Sequence, residues 1–153
     1  MTHFKERWLL VAGAIAAAIG FALSVQGGQW WSISGVTIGP LGAHSPFGGL
    51  GGLAWTGASA RWERLGAATF GAGLIAMFVL IVVAGALAAK RIPRLAARTA
   101  IVSLVTAAVV GGAFVATRPD GLPFVVDRGI WLFFGAIIVG AAAAIGVIRV
   151  ARR

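Results

Sequence analysis

Residues 65–89 read LGAATFGAGLIAMFVLIVVAGALAA, 25 consecutive positions without a charged side chain. At about 1.5 Å per residue, a helix of this length crosses the hydrocarbon core of a bilayer with some tilt. Three further runs read the same way. Residues 8–25 carry no charge, residues 98–116 hold an apolar stretch from Ala100 to Ala116, and residues 129–148 are apolar or small throughout. The first run follows a basic head and ends near the small Ala22-Leu23-Ser24 triplet, as a secretory signal would. It is too long for a signal's apolar core and is read as a retained helix.

The totals agree with that reading. The chain of 153 residues is 59% hydrophobic and 11% charged, where a soluble domain carries roughly 25% charged residues. Mean hydropathy is +0.96. The expected fold is an all-α transmembrane four-helix bundle, a single integral membrane domain over residues 1–153. A small extracytoplasmic β-hairpin or sheet is expected in the first outer loop, residues 27–61.

The net charge of +9 suggests nucleic acid until its placement is read. Lys and Arg collect at the ends of the apolar runs, as topology demands, and no basic face interleaved with aromatics emerges, so no nucleic acid is expected as a partner. Nine of them fall in the head (Lys5, Arg7), the turn (Lys90, Arg91, Arg94, Arg98) and the tail (Arg149, Arg152, Arg153). Four (Arg61, Arg64, Arg118, Arg128) fall on the other side. The positive-inside rule then puts both termini in the cytoplasm and the long loop outside, in a multi-pass protein of the plasma (inner) membrane. Lys90, Arg91, Arg94 and Arg98 are placed to meet lipid headgroups. Pro93 ends the second helix or opens the third, and Asp127 suits the N-cap of the fourth.

Helices in lipid need small residues to approach closely. Stripes at four-residue spacing are Ala12-Ala16-Gly20, Ala67-Gly71 with Gly85-Ala89, Ser103-Ala107-Gly111, and Ala136-Gly140-Ala144. These are expected to pack the bundle against itself or to dock a partner.

Much chemistry is excluded. No run holds Asp, Glu, Lys, Arg or His at its centre, which argues against proton pumping and carboxylate-driven transport. There is no cysteine, and the two histidines, His3 and His44, lie outside the runs. Neither haem ligation in the membrane nor a Cys/His metal site is supported, and no cofactor is expected. A Ser45/His44/Asp127 triad can be written down, but nothing around Ser45 resembles a nucleophile elbow. A lipid enzyme using Arg61, Glu63 or His44 lacks a convincing acid/base pair. The chain is therefore expected not to be an enzyme.

The outer loop carries what is individual. From Gly27 to Ala60 it has no charge, yet holds Trp30, Trp31, Phe47 and Trp55. Such a long connector is functional more often than not, and its composition is not that of disorder. Trp31 to Ile38 reads as a strand with a bulge at Gly35, Gly39-Pro40 and Ser45-Pro46 as turns, and Leu53 to Thr56 as a second strand. Trp30, Trp31, Phe47, Trp55 and Arg61 are the candidate interaction residues.

Four runs, cytoplasmic ends, a long first outer loop with strand pattern and a short second one resemble the claudin and peripheral-myelin-protein group. Trp30 or Trp31, the Gly-Leu-Ala-Trp at Gly52 to Trp55, and Arg61 are similar to that family's loop motif, with both of its cysteines absent. The resemblance implies lateral contacts through the outer sheet, adhesion or barrier formation, and no catalysis. The functional expectation is a structural or accessory subunit, or a lateral-interaction protein, whose partners are lipid and other membrane proteins or copies of itself. The alternative is an oligomeric channel or transporter subunit. A single cysteine placed in the 27–61 loop should react with a membrane-impermeant thiol reagent on intact cells. Reaction only after permeabilisation would reverse the topology.

Overall fold

The computed structural model describes residues 2–26, 29–45, 48–51, 59–120 and 125–151. Four long helices account for most of it: α1 (Thr2–Gln26), α2 (Ala60–Ala88), α3 (Arg94–Ala116) and α4 (Arg128–Val150). All four are long and apolar enough to cross a membrane. They begin earlier than the apolar runs alone suggest, α2 at residue 60 and α3 at residue 94, because hydropathy marks the greasy part of a helix and not its capped, charged ends. Ser59 caps α2 by accepting from the Trp62 amide, and Pro93 precedes α3. Asp127 caps α4, its carboxylate accepting from the Arg128 amide at 2.7 Å. Thr69 and Ser103 bond their own helix one turn back, to the Leu65 and Thr99 carbonyls, and so need no polar partner elsewhere, whereas Ser24 of α1 reaches across to the Gly129 carbonyl.

The helices run up and down, and each packs on its neighbours in the order α1, α2, α3, α4 and back to α1. The start of α1, the end of α4 and the α2–α3 turn share one end, where the Arg94 guanidinium donates to the Ala151 carbonyl. At the other end sits a sheet of four antiparallel strands, β1 (Trp31–Ile33), β2 (Val36–Gly39), β3 (Gly42–Ser45) and β4 (Gly48–Gly51), joined by a two-residue β5 (Val125–Val126). The strand order is β4-β3-β2-β1-β5.

The first-loop pattern resolves differently from its sequence reading. Trp31 to Ile38 is no single bulged strand but a hairpin, with Ile33 opposite Val36 and Trp31 opposite Ile38. Ser34 and Gly35 form its two-residue turn with φ of 46° and 82°. Positive φ at both central positions matches the twist of the flanking strands, which explains the tight reversal. The expected strand at Leu53 to Thr56 and the turn at Pro46 lie outside the described residues. β4 is instead a run of glycines and Leu50, whose backbone pairs with β3 through an irregular register beside Ala43 and His44. β5 comes from the second loop and pairs with β1 at Trp31 and Ser32.

Packing selects small residues, though not always the expected ones. Ser103, Ala107 and Gly111 on α3, and Ala136, Gly140 and Ala144 on α4, are all buried. Gly140 sits at the centre of the bundle. A Cβ there would come within 3.1 to 3.3 Å of Leu80, Ala17 and Leu104, from three different helices. On α1, Gly20 meets Ala136, but Ala12 and Ala16 are exposed; the buried face is Ala14, Ala17, Ala18 and Phe21. On α2 the expected stripe is turned away from the bundle. Ala67, Gly85 and Ala89 are exposed, and a Cβ on Gly71 or Gly85 would meet nothing. Gly66 and Gly73 make the close approaches instead, against the β2–β3 turn and against Val25 and Phe133. Gly140→Leu should therefore destabilise the purified protein by about 1–3 kcal/mol or prevent folding, as overpacking does. Gly112→Leu, where a Cβ would meet open space, should fall within about 0.5 kcal/mol of wild type in thermal unfolding.

Candidate functional site

The loop tryptophans define the junction where the sheet sits on the helices. Across β1, β2 and β3, Trp31, Ile38 and Ala43 stand directly opposite one another. Paired residues share a face, and all three are buried. The alternate row, Ser32, Thr37 and His44, faces outward, with His44 exposed. The sheet therefore has an apolar underside pressed on the bundle and a polar upper side.

Beneath it lies one continuous aromatic cluster. Phe21 of α1 meets Phe133 of α4 edge to face at 5.3 Å. Trp30 contacts Phe133 at 5.0 Å and Phe114 of α3 at 5.7 Å. Trp31 contacts Phe114 at 5.4 Å and Trp62 of α2 at 5.9 Å, and Trp62 stacks on Phe114 at 4.6 Å. Every helix and the first strand contribute a ring. Offset and edge-on pairs of this kind add about 0.5–1.5 kcal/mol each beyond the area they bury.

Buried indoles need acceptors. The Trp62 indole N–H donates to the Phe114 carbonyl at 2.8 Å, near the C-terminus of α3, where carbonyls lack helical partners. The Trp30 indole N–H lies 3.1 Å from both the carbonyl and the hydroxyl oxygen of Ser24. The Ser24 hydroxyl in turn donates to the Gly129 carbonyl at 2.8 Å. Backbone bonds complete the joint: Gly129 to the Gln29 carbonyl, Asp127 to that of Trp30, and Trp30 to that of Ile38. The end of α1, the sheet and the start of α4 are thus held by one polar network inside an apolar shell.

This geometry revises the roles expected of the loop. Trp30 and Trp31 are 0% and 1% exposed, so in the folded chain they hold the sheet down and cannot be touched by a partner. Phe47 and Trp55 lie outside the described residues. Arg61 is exposed in the first turn of α2. Asp127 is engaged as a helix cap and His44 stands on the outer face, so the pair does not build a triad with Ser45. Lys90, Arg91, Arg94 and Arg98 are all exposed and lie at or beyond the α2–α3 turn, the opposite end from the sheet. Trp62 was missed as a member of the site. Its position three residues into a capped helix, after the loop, was the available signal. Among the described residues no group of three or more His, Asp or Glu could hold a metal ion.

Ser24→Ala removes the hydroxyl shared by Trp30 and Gly129 and should cost about 1–3 kcal/mol. Trp30→Phe should cost a similar amount, and the double variant less than the sum, since both act on one network. Additive losses in thermal unfolding would show that the two groups are independent. Comparison of the chain with protein-family models, with curated proteins and with solved structures finds no match.

Proposed function

We propose that the chain is an integral membrane protein with both termini and the Lys90–Arg98 turn in the cytoplasm and the sheet outside. It works without catalysis, as a structural or accessory subunit that associates laterally with other membrane proteins or with copies of itself. Support for the membrane setting comes from the helix exteriors. In the most apolar stretch of each helix only 33% to 39% of residues are buried, and the remainder includes Leu9, Phe78, Val102, Trp131 and Ile138 turned outward. Soluble monomers rarely expose contiguous apolar patches beyond a few hundred Å².

The observation that carries lateral association is the outward face of α2. Ala68, Gly71, Ile75, Phe78, Val82 and Gly85 follow at alternating steps of three and four, which keeps them on one side of a helix. Ile75, Phe78 and Val82 are each more than half exposed, and space beside Gly71 and Gly85 is open. The ridge stands between two apolar grooves. One, of about 380 Å³, runs along Ile15, Ile19, Met77 and Ile81; the other, of about 320 Å³, runs along Phe78, Val82, Leu95 and Thr99. Small residues on an outer face let a second helix approach closely, and among the described residues nothing packs against Gly71 or Gly85. The claudin-like resemblance points the same way, toward contacts between neighbours in one membrane. Because Phe21, Leu80, Leu104 and Phe133 fill the bundle, a conducting path would have to run between copies.

The absence of native cysteine makes the test direct. Ile75→Cys in its native membrane should form a disulfide-linked dimer or, with a bifunctional thiol reagent, an adduct with a partner. Gly71→Leu combined with Gly85→Leu should abolish the adduct while leaving thermal unfolding within about 0.5 kcal/mol of wild type. A strictly monomeric particle in mild detergent, with no adduct in the membrane, would overturn the proposal.

A further inference from the structure

At the end of the bundle away from the sheet, α2 closes in an unusual way. The Lys90 amide donates to the Leu87 carbonyl and the Arg91 amide to that of Ala86, the paired bonds of a Schellman motif. Its left-handed position is normally glycine, which has no Cβ to clash. Here it is Lys90, at φ 61°. The chain has 23 glycines and uses Gly35 at such a φ in the β1–β2 turn, yet position 90 is a lysine. The lysine side chain is what the position gains in return.

That side chain lines a cavity of about 210 Å³ between α1, the α2–α3 turn and the end of α4. Arg7, Lys90 and Arg91 bring three cations to it from two separate segments, and Glu6 brings one carboxylate, leaving two net positive charges. Leu10, Leu87, Ile92 and Val150 supply an apolar wall. Arg94 is engaged nearby with the Ala151 carbonyl and holds α3 to α4 beside the opening. With Glu6 present the lining keeps an excess of positive charge, which favours a further anion. A compact ammonium with guanidinium forks beside it suits phosphate oxygens.

We infer that this cavity binds the phosphate of a phosphate ester, with the apolar wall receiving the first methylenes of an attached chain. The lipid form of that ligand rests on the membrane reading above, with this end at headgroup level, where basic pockets between helices recognise anionic lipids. The site differs from a diffuse basic surface in being a cavity with a defined set of side chains, one of them held in a backbone conformation that suits glycine better.

The full chain, purified in detergent, should be offered phosphatidylglycerol, phosphatidylcholine or inorganic phosphate separately, with retention counted by native mass spectrometry and unfolding followed by heat. Wild type should retain phosphatidylglycerol and unfold at a higher temperature with it. Lys90→Gly and Arg91→Gln should each weaken retention about five-fold, the effect of one charge near an anionic group. Without ligand, Lys90→Gly should raise the unfolding temperature, since glycine accepts this φ freely. A side chain with a structural role alone would not move the two readouts in opposite directions. Arg118→Gln, the same loss of charge at the far end, should change neither. Equal retention of inorganic phosphate, with the same losses in the variants, assigns the site to free phosphate; preference for phosphatidylglycerol assigns it to a lipid headgroup. Either supports the inference. Retention of every ligand unchanged in the Lys90→Gly/Arg91→Gln double variant, or no retention by wild type, overturns it. Flotation with phosphatidylcholine vesicles is scored separately: a chain that fails to float removes the membrane reading and leaves the phosphate result standing.

Discussion

Inside this bundle, polarity cannot distinguish an inward position from an outward one, so side-chain volume has to. Ala14, Ala17, Ala76, Ala107 and Ala144 are buried, while Leu9, Phe78, Val109 and Ile138 point away. That inverts the pattern of a soluble protein, where large apolar residues go in and charge stays out. Close backbone approach is gained by keeping many helix interfaces small, and large buried residues such as Phe21, Leu80, Leu104 and Phe133 fill the space that the small ones leave. Gly140 faces Leu80, Ala17 and Leu104 at once, so three other helices meet there.

The same constraint explains what could and could not be read from the residues. Long uncharged runs announce helices because nothing else can satisfy so many backbone groups without water. Their facing is another matter. On α3 and α4 the small stripes coincide with the buried face. On α2 two glycine pairs compete, Gly66 and Gly73, seven residues apart, and Gly71 and Gly85, fourteen apart, and both separations are whole multiples of a two-turn repeat. Only the arrival of Val25, Phe133 and the β2–β3 turn next to the first of them decides between the two. The loop is partly legible: alternation at Trp31 to Ile38 marks extended chain, read as one bulged strand, while Ser34-Gly35 is a turn-forming pair that divides it into two. β4 was not legible, since glycines pair through backbone alone and leave no alternation. β5, two valines long, is too short to register as a strand without its partner.

The junction of sheet and helices solves a second problem, how to join polar backbone to an apolar bundle without leaving donors stranded. Ser24, one of three buried polar side chains among the described residues, serves both the Trp30 indole and the Gly129 carbonyl. The Trp62 indole closes the end of α3. In each case a large ring provides cover while its single N–H answers a carbonyl that the helix geometry would otherwise abandon. Trp30 and Trp62 therefore work as fasteners, and the outward surfaces open to other molecules include the polar top of the sheet, the ridge of α2 and the basic cavity at the opposite end.

The bond from Ser24 to Gly129 spans 105 positions, and β1 finds its outer neighbour only in β5. During synthesis the first hairpin thus emerges long before the strand that flanks it, and β1 waits with an unsatisfied edge until the last helix has begun. Any ribosome-bound or truncated product that stops short of residue 125 carries that bare edge together with an uncovered Trp30. Such intermediates are the ones most prone to pair with the wrong chain, so the order of assembly favours delivery of the second loop without delay.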